Sequence, residues 1–334
     1  MNHERICEDD MTSLERIQAA LRFEKPDRVP FNFWMDRRLL RQYELRYGPY
    51  FRVEHYGADV IESPLMLPWP SGEALERDGT AWMMKPLWNE GWQGVNGIAW
   101  PNPEAPENFT GIEHDLRSHP DKAIFVNVAG ITGIMHGIRS EADLFTDFCE
   151  RPGDVQEIFA KIGAVLARAV ENLCARCPAI AAIYVQDDVC SSHGCMFSPD
   201  TFERFIYLVN DQPIRAARAA EIPVVYHSDG KTDDILEHLI GLGVSAINPL
   251  QPTLHDFNAF MRRFGGRIGV YGALDNCFVI PDGTPEEIRE HVLDAFHILG
   301  STGALILSSH DIPSYCPHEN IEVMVKTIRE DCLY

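Results

Sequence analysis

The C-terminal half of the chain alternates short apolar segments with amphipathic ones, and this alternation constrains the fold more than any other feature. The apolar periodicity predicts strands at 123–128, 180–185, 223–226, 244–248, 268–271 and 304–307. It predicts helices at 153–176, 199–220, 232–242, 254–264 and 285–299, with a last helix from about Glu319. Such alternation implies a parallel sheet covered by helices. Because no GxGxxG follows an early strand, the pattern favours a single (β/α)₈ TIM barrel over a dinucleotide-binding sheet.

The N-terminal part is less regular. Thr12 and Glu15 form a capping box that begins a helix, and a strand is predicted at 29–34. Residues 60–120 are rich in Pro and Gly, and all six tryptophans lie between Trp34 and Trp100. We interpret this segment as an irregular excursion, either a surface feature or an aromatic wall over the site. Since there is no repeat or linker, residues 1–334 are expected to form one barrel domain.

The composition excludes several classes of function. A formal net charge of −21 disfavours nucleic-acid binding. No apolar run has the length of a membrane span, and the N-terminus lacks the apolar segment of a signal peptide, so a cytoplasmic enzyme without a membrane partner is expected. The nine cysteines are odd in number and irregularly spaced, which predicts reduced thiols.

Polar residues follow five successive predicted strands. In a barrel, catalytic residues come from the C-terminal ends of several strands, so these residues are expected at one pole. In chain order they are Asp187 and Asp188, His227 and Asp229, Asn248 and Gln251, Tyr271 and Asp275, and His310. Five such strand ends together predict an active site.

His227 and Asp229 suggest a metal centre. Residues two apart at a strand end project to the same side, so both can face the barrel mouth. Histidine nitrogen and carboxylate oxygen suit zinc, and His310 is the natural third ligand, which leaves one position open for a substrate. The alternative is a hydrogen-bonded His–Asp pair without a metal.

The remaining strand-end residues have weaker signals. Asp187 and Asp188 are candidates for a general base, a support for the metal or a substrate clamp, or else a pair that braces the loop. Asp275 is either a supporting acid or a loop cap. The residues with substrate-contacting chemistry are Asn248, Gln251 and Tyr271. An Asn-Pro turn is the alternative for Asn248.

The chain resembles the uroporphyrinogen decarboxylase superfamily, which includes cobamide-dependent methyltransferases. The resemblance covers nearly the whole length and depends on the order of several motifs. They lie at 15–22, 26–30, 198–202, 226–230, 242–244, 248–252, 283–287, 310–312 and 317–320. The resemblance implies the same barrel that the periodicity predicts.

The methyltransferase branch implies a zinc held by a His-x-Cys pair and a later Cys. The matching positions are His227, Asp229 and His310, so nitrogen and oxygen replace sulfur. Two neutral His and one Asp leave zinc with a net positive charge, which makes it a stronger Lewis acid and favours an oxygen leaving group. The expected function is therefore metal-dependent transfer of a methyl group from a methylated small molecule, with a methyl ether favoured, to a corrinoid (cobalamin) carried by a separate protein.

Other functions stay open. The decarboxylase branch implies a carboxy-lyase acting on a porphyrinogen or other polycarboxylate, gripped by N-terminal arginines at Arg37, Arg38 and Arg41. His310 also matches a histidine of that enzyme, but His227-x-Asp229 has no role there. Metal-dependent hydrolysis and a metabolite-binding protein without catalysis are further alternatives. The loop cysteines that could join the metal or replace Asp229 are Cys190, Cys195 and Cys316, and free thiols are the alternative for each.

Overall fold

The structure is a computed structural model that describes residues 10–77 and 80–334, without the side chains of 74–84. The strands are β1 Phe31–Met35, β2 Val60–Pro64, β3 Glu73–Arg77, β4 Thr80–Lys85, β5 Ala123–Ala129, β6 Ala182–Gln186, β7 Cys190–Ser191, β8 Gly194–Cys195, β9 Val224–His227, β10 Ala246–Asn248, β11 Gly269–Leu274 and β12 Leu305–Ile312.

The α-helices begin and end as follows. They are α1 Ser13–Leu21, α2 Arg37–Tyr47, α3 Phe51–Glu54, α4 Thr110–Ser118, α5 Ile131–Ile138, α6 Glu141–Glu150, α7 Pro152–Arg176, α8 Pro199–Thr201, α9 Leu208–Ala219, α10 Leu236–Leu242, α11 Phe257–Phe264, α12 Val279–Asp282, α13 Pro285–Leu299 and α14 His318–Asp331. A π-helical turn, Phe202–Tyr207, joins α8 to α9. None of the described helices combines the length and the apolar character that crossing a bilayer requires.

Eight parallel strands with helices between them form a (β/α)₈ barrel, as the alternation predicts. Their hydrogen-bonded order is β1–β12–β11–β10–β9–β6–β5–β2. The barrel strands are buried almost throughout; β9 and β11, for example, have no exposed residue. Burial on both faces explains why they read as continuous apolar runs rather than as alternating ones. The fold prediction is confirmed.

The strands and helices fall into two compact units. One comprises the described residues up to Ile61 with His119–Ala123 and His255–Tyr334, and the other comprises Glu62–Ser118 and Ile124–Leu254. In the first, β12 lies between β1 and β11 in parallel register. In the second, β6 lies between β5 and β9, and β10 continues from β9.

Helix caps confirm several predicted boundaries. Thr12 and Glu15 form the capping box of α1, and Thr284 and Glu287 form that of α13. The helix predicted at 232–242 begins only at Leu236, because 233–235 form a turn.

The first unit is anchored by a buried ion cluster at the start of β1. Asp59, fully buried, accepts from Arg16 Nη1 at 2.7 Å and from Arg28 Nη1 at 2.8 Å. Its carboxylate also accepts from Phe31 N at 3.0 Å, and its own N–H donates to Phe31 O at 2.9 Å. These bonds join the residue before β2 to β1, the strand at the other end of the hydrogen-bonded order.

Replacement of Asp59 by Asn should destabilise the protein strongly. The change removes a negative charge that compensates two buried guanidinium groups. Breaking a buried ion pair in this way costs about 3–5 kcal/mol. Urea denaturation followed by circular dichroism measures this loss. The control is Asp121→Asn, since the Asp121 side chain is 58% exposed, and about 0.5 kcal/mol or less is expected there. Similar losses for the two variants would contradict the role given to Asp59.

Candidate active site

His227, the last residue of β9, is held by two buried side chains from neighbouring strands. Its Nδ1 lies 2.7 Å from Asn248 Oδ1, at the end of β10, and 3.2 Å from the Tyr184 hydroxyl of β6. The Tyr184 hydroxyl donates to the same Asn248 oxygen at 2.7 Å. Because an amide oxygen only accepts, Nδ1 carries the proton that it shares with Asn248. Nε2 is therefore the nitrogen that His227 can offer to a metal.

Asp188 lies on the Nε2 side of His227. Its Oδ1 is 3.3 Å from His227 Nε2 and accepts from Asp229 N at 3.0 Å. Burial alone would lower the pKa of His227, but the hydrogen bond to Asp188 and the charges of Asp188 and Asp229 outweigh it and raise the pKa above its ordinary value. The Asp188 side chain is 59% exposed, whereas His227 is buried.

Asp187 points the other way, into the protein. Its Oδ1 accepts from the backbone N and the hydroxyl of Thr132, and its Oδ2 accepts from Asn210 Nδ2 at 2.8 Å and Tyr226 Oη at 3.0 Å. A Cβ at Gly130 would overlap the Asp187 side chain, so glycine is needed where α5 begins. This is the environment of a bracing carboxylate, and a catalytic role for Asp187 stays a prediction.

The loop after His227 is held by backbone contacts. The buried Ser228 hydroxyl accepts from Val189 N and Cys190 N, both at 3.1 Å. Gly230 N donates to Gln251 Oε1 at 2.7 Å. Gly230 has φ +93°, and a Cβ there would lie 2.5 Å from Ser191 O. Gln251, predicted to contact substrate, thus positions this loop.

In the first unit, β12 carries His310, which is half-buried. Trp34, in β1, packs against it edge-on with ring centroids 5.3 Å apart and against Tyr271 at 5.5 Å. Tyr271 is fully buried and accepts from Asn32 Nδ2 at 2.8 Å. Trp34 thus contacts two of the predicted site residues.

Two other predicted residues have different surroundings. Asp275 Oδ1 accepts from Cys277 N at 2.7 Å and Phe278 N at 3.0 Å, the pattern of a loop cap. Arg37 is exposed in the first turn of α2. The catalytic role of Asp275 and the substrate-binding role of Arg37 both stay predictions.

The predicted metal ligands lie close together. His227, Asp229 and His310 each offer one ligand atom, and these three atoms lie within 4.8 Å of one another. Two nitrogens and one carboxylate oxygen at this spacing suit a divalent ion such as zinc. A surface cavity of about 500 Å³ lies elsewhere, beside Glu73, Lys85 and Gln93, and contains none of the predicted site residues.

Four residues that support the site are not predicted from the sequence: Tyr184, Ser228, Thr132 and Asn210. Tyr184 had a detectable signal, since a tyrosine inside a fully apolar strand needs a hydrogen-bond partner. Ser228, between two predicted ligands, had none beyond its position. The partners of Asp187 come from distant parts of the chain, which no local pattern reveals.

The fold and the candidate site together are typical of TIM-barrel enzymes, in which polar functional residues lie at the strand ends. Within it, the chain belongs to the uroporphyrinogen decarboxylase (URO-D) family, whose model matches residues 130–331. No sequence among curated proteins matches the chain.

A solved methyltransferase structure shares the fold. A methyltransferase from Methanosarcina mazei superposes with a TM-score of 0.72 at 15% identity, covering 96% of this chain and 99% of that one. A glycosylated endo-beta-1,4-xylanase from Gloeophyllum trabeum has a TM-score of 0.42 at 11% identity, covering 66% of this chain and 80% of that one. The first likeness shows the barrel, and the second is too low to bear on function.

The Asp188 contact predicts a pH effect in the metal-free protein. Asp188→Asn should lower the pKa of His227, because the negatively charged hydrogen-bond acceptor that raises this pKa is lost. In the wild type, protonation of His227 stabilises the fold. This stabilisation is fully present below the ordinary histidine pKa and is lost as the pH rises through the raised pKa of the folded protein. NMR titration of the His227 ring measures the pKa. Asp234→Asn is the control, and an identical shift in both variants would contradict the assignment.

Proposed function

We propose that this chain is a metal-dependent methyltransferase. It moves a methyl group from a methylated small molecule, with a methyl ether favoured, to a corrinoid carried by a separate protein. The observation that carries the proposal is the cluster of ligand atoms from His227, Asp229 and His310, within 4.8 Å of one another. Membership of the URO-D family and the fold shared with a methyltransferase support it.

The residues fit zinc. His227, Asp229 and His310 would hold it, and three protein ligands leave a position open for substrate. The Nδ1 proton of His227 is committed to Asn248, 2.7 Å away, which leaves Nε2 for the metal. A metal-binding histidine typically donates its other N–H to an oxygen in this way, which fixes the ring.

Zinc held by two neutral histidines and one carboxylate has a formal charge of +1 and supplies Lewis-acid stabilisation of a developing phenolate or alkoxide. Asp188, exposed and 3.3 Å from His227 Nε2, is placed to hold or release a proton near that oxygen. Trp34, against His310 and Tyr271, provides an aromatic face for an aromatic ether. Asn248 and Gln251 orient His227 and its loop, while Asp187 and Asp275 brace the ends of β6 and β11.

Decarboxylation of a porphyrinogen or another polycarboxylate is the second candidate. The family match favours it, and Arg37, exposed at the start of α2, is available to a carboxylate. It gives no role to Asp229 or to the Tyr184–Asn248–His227 contacts. We therefore place it second.

Metal content tests the ligand set. Wild-type protein loaded with zinc and then desalted should retain about one zinc per chain, and His227→Ala should lose it. His238→Ala is the matched control, because His238 lies in the same unit, 35% exposed and paired with Glu203 at 3.7 Å. Elemental analysis gives the ratio. Zinc retained by His227→Ala, or lost equally from both variants, would contradict the assignment.

The supporting role of Asn248 predicts a graded effect. Asn248→Ala removes the acceptor of the His227 Nδ1 proton and should weaken zinc binding by about 10–100-fold, the usual cost of losing such a contact. Competition with a chelator measures the affinity. Asn172→Ala is the control and should leave it unchanged, because Asn172 lies in α7 and donates to Arg168 O at 2.8 Å. An unaltered affinity in Asn248→Ala would remove the orienting role.

The reaction is tested with zinc-loaded protein, a corrinoid protein reduced to Co(I) and an aryl methyl ether. Formation of methylcobalamin, seen by its absorption spectrum, with release of the phenol is expected. Methylation of a thiol without ether demethylation would contradict the proposed substrate class. Loss of carbon dioxide from a porphyrinogen would move the second candidate to first place.

A further inference from the structure

A small hairpin beside the candidate site carries two cysteines opposite each other. Strands β7 and β8 pair antiparallel, with Cys190 opposite Cys195 and Ser191 opposite Gly194. Both cysteines are free thiols. The turn between the strands consists of Ser192 and His193, so the two sulfurs belong to one short, continuous segment.

The backbone shows which kind of cross-strand pair this is. Met196 N donates to Val189 O at 2.9 Å, which makes 189 and 196 a hydrogen-bonded pair. Pairs alternate along an antiparallel ladder, so Cys190 and Cys195 are a non-hydrogen-bonded pair, with Cα atoms about 4.5 Å apart. In agreement, Cys190 N donates away from its partner strand, to Ser228 Oγ at 3.1 Å. Disulfides require Cα atoms about 4.4–6.8 Å apart, so the pair can be bridged with little backbone movement.

The two thiols have different access and different acidity. Cys190 is buried and Cys195 half-buried. The hydrogen bond from Cys190 lowers the pKa of Cys195, and the same contact, together with burial, raises the pKa of Cys190. The more accessible thiol is thus also the one more easily ionised, which suits it to attack an external disulfide.

The hairpin is attached to the loop that carries the predicted ligands. Val189 N and Cys190 N donate to the hydroxyl of Ser228, which lies between His227 and Asp229 in the sequence. Ser191 O accepts from Lys231 N at 2.8 Å and lies against Gly230. A cross-link in the hairpin would therefore stiffen the support of this loop.

We propose that Cys190 and Cys195 form a reversible thiol–disulfide site that locks the hairpin under the His227–Gly230 loop. The oxidant is a low-molecular-weight disulfide. The Cys195 thiolate attacks one of its sulfurs, forms a mixed disulfide and releases one thiolate. The Cys190 thiolate then attacks Cys195 Sγ and releases the second thiolate, so two protein thiols are oxidised and one disulfide is reduced to two thiols. The site does not depend on the proposed methyl transfer.

The test uses the full-length, metal-free, reduced protein incubated with oxidised glutathione. Peptide mass mapping under non-reducing conditions should show Cys190 joined to Cys195, with a mass about 2 Da below that of the dithiol form. Amide hydrogen exchange at Val189 and Cys190 should slow in the oxidised protein. Dithiothreitol should reverse both changes.

Variants assign the order of attack. Cys190→Ser should stop at a glutathione adduct on Cys195, and Cys195→Ser should leave Cys190 unmodified. Cys149→Ser, which removes an exposed cysteine of α6, should cross-link as the wild type does. Wild-type protein that keeps both thiols, stops at the adduct on Cys195, or links either cysteine elsewhere would overturn the proposal. The wild-type result alone decides the proposal, so a variant that fails to fold does not leave the proposal untested.

Discussion

The buried carboxylate of Asp187 organises the second unit around the candidate site. It receives four donors from Thr132, Asn210 and Tyr226, residues of α5, α9 and β9. A buried charge is tolerated only when its hydrogen bonds are made, so these elements must meet at the end of β6. Asp187 N also donates to His227 O at 3.0 Å, which ties the same point to the end of β9. Since successive residues of an extended segment point to opposite sides, burial of Asp187 turns Asp188 toward solvent and toward His227.

The proposed role of His227 as a metal ligand depends on which of its ring nitrogens carries the proton. Asn248, fully buried, presents one oxygen to both His227 Nδ1 and Tyr184 Oη. That arrangement leaves Nε2, which lies 3.3 Å from Asp188 Oδ1, as the nitrogen that His227 can offer to a metal. The chemistry that we propose depends on this choice of nitrogen, and the carboxylates around it compensate the charge that a divalent ion would bring.

The sequence predicts most of the barrel because most of its strands are buried on both faces and are followed by a helix. The barrel strand β2 is not predicted, since it begins the irregular segment and is followed by β3 rather than by a helix. β6, β9, β10, β11 and β12 all begin within two residues of their predicted starts, but β12 continues to Ile312, so His310 lies within the strand rather than after it. The hairpins β3–β4 and β7–β8 are not predicted. Two-residue strands such as β7 are too short to show a period, and β3–β4 lies in the irregular excursion.

Site residues are predictable only where chain order places them at strand ends. His227, Asp229 and His310 follow from that rule, but the direction of each side chain does not. Asp187 and Asp188 are identical residues next to each other, yet one is fully buried and the other 59% exposed. Tyr184 and Ser228 contribute through contacts between strands that are distant in sequence.

The proposed metal is held by nitrogen and oxygen alone. X-ray absorption at the zinc edge of the zinc-loaded protein tests this ligand set most directly. Nitrogen or oxygen neighbours at about 2.0–2.1 Å and no sulfur are expected. A zinc–sulfur distance of about 2.3 Å would place a cysteine in the site and contradict it.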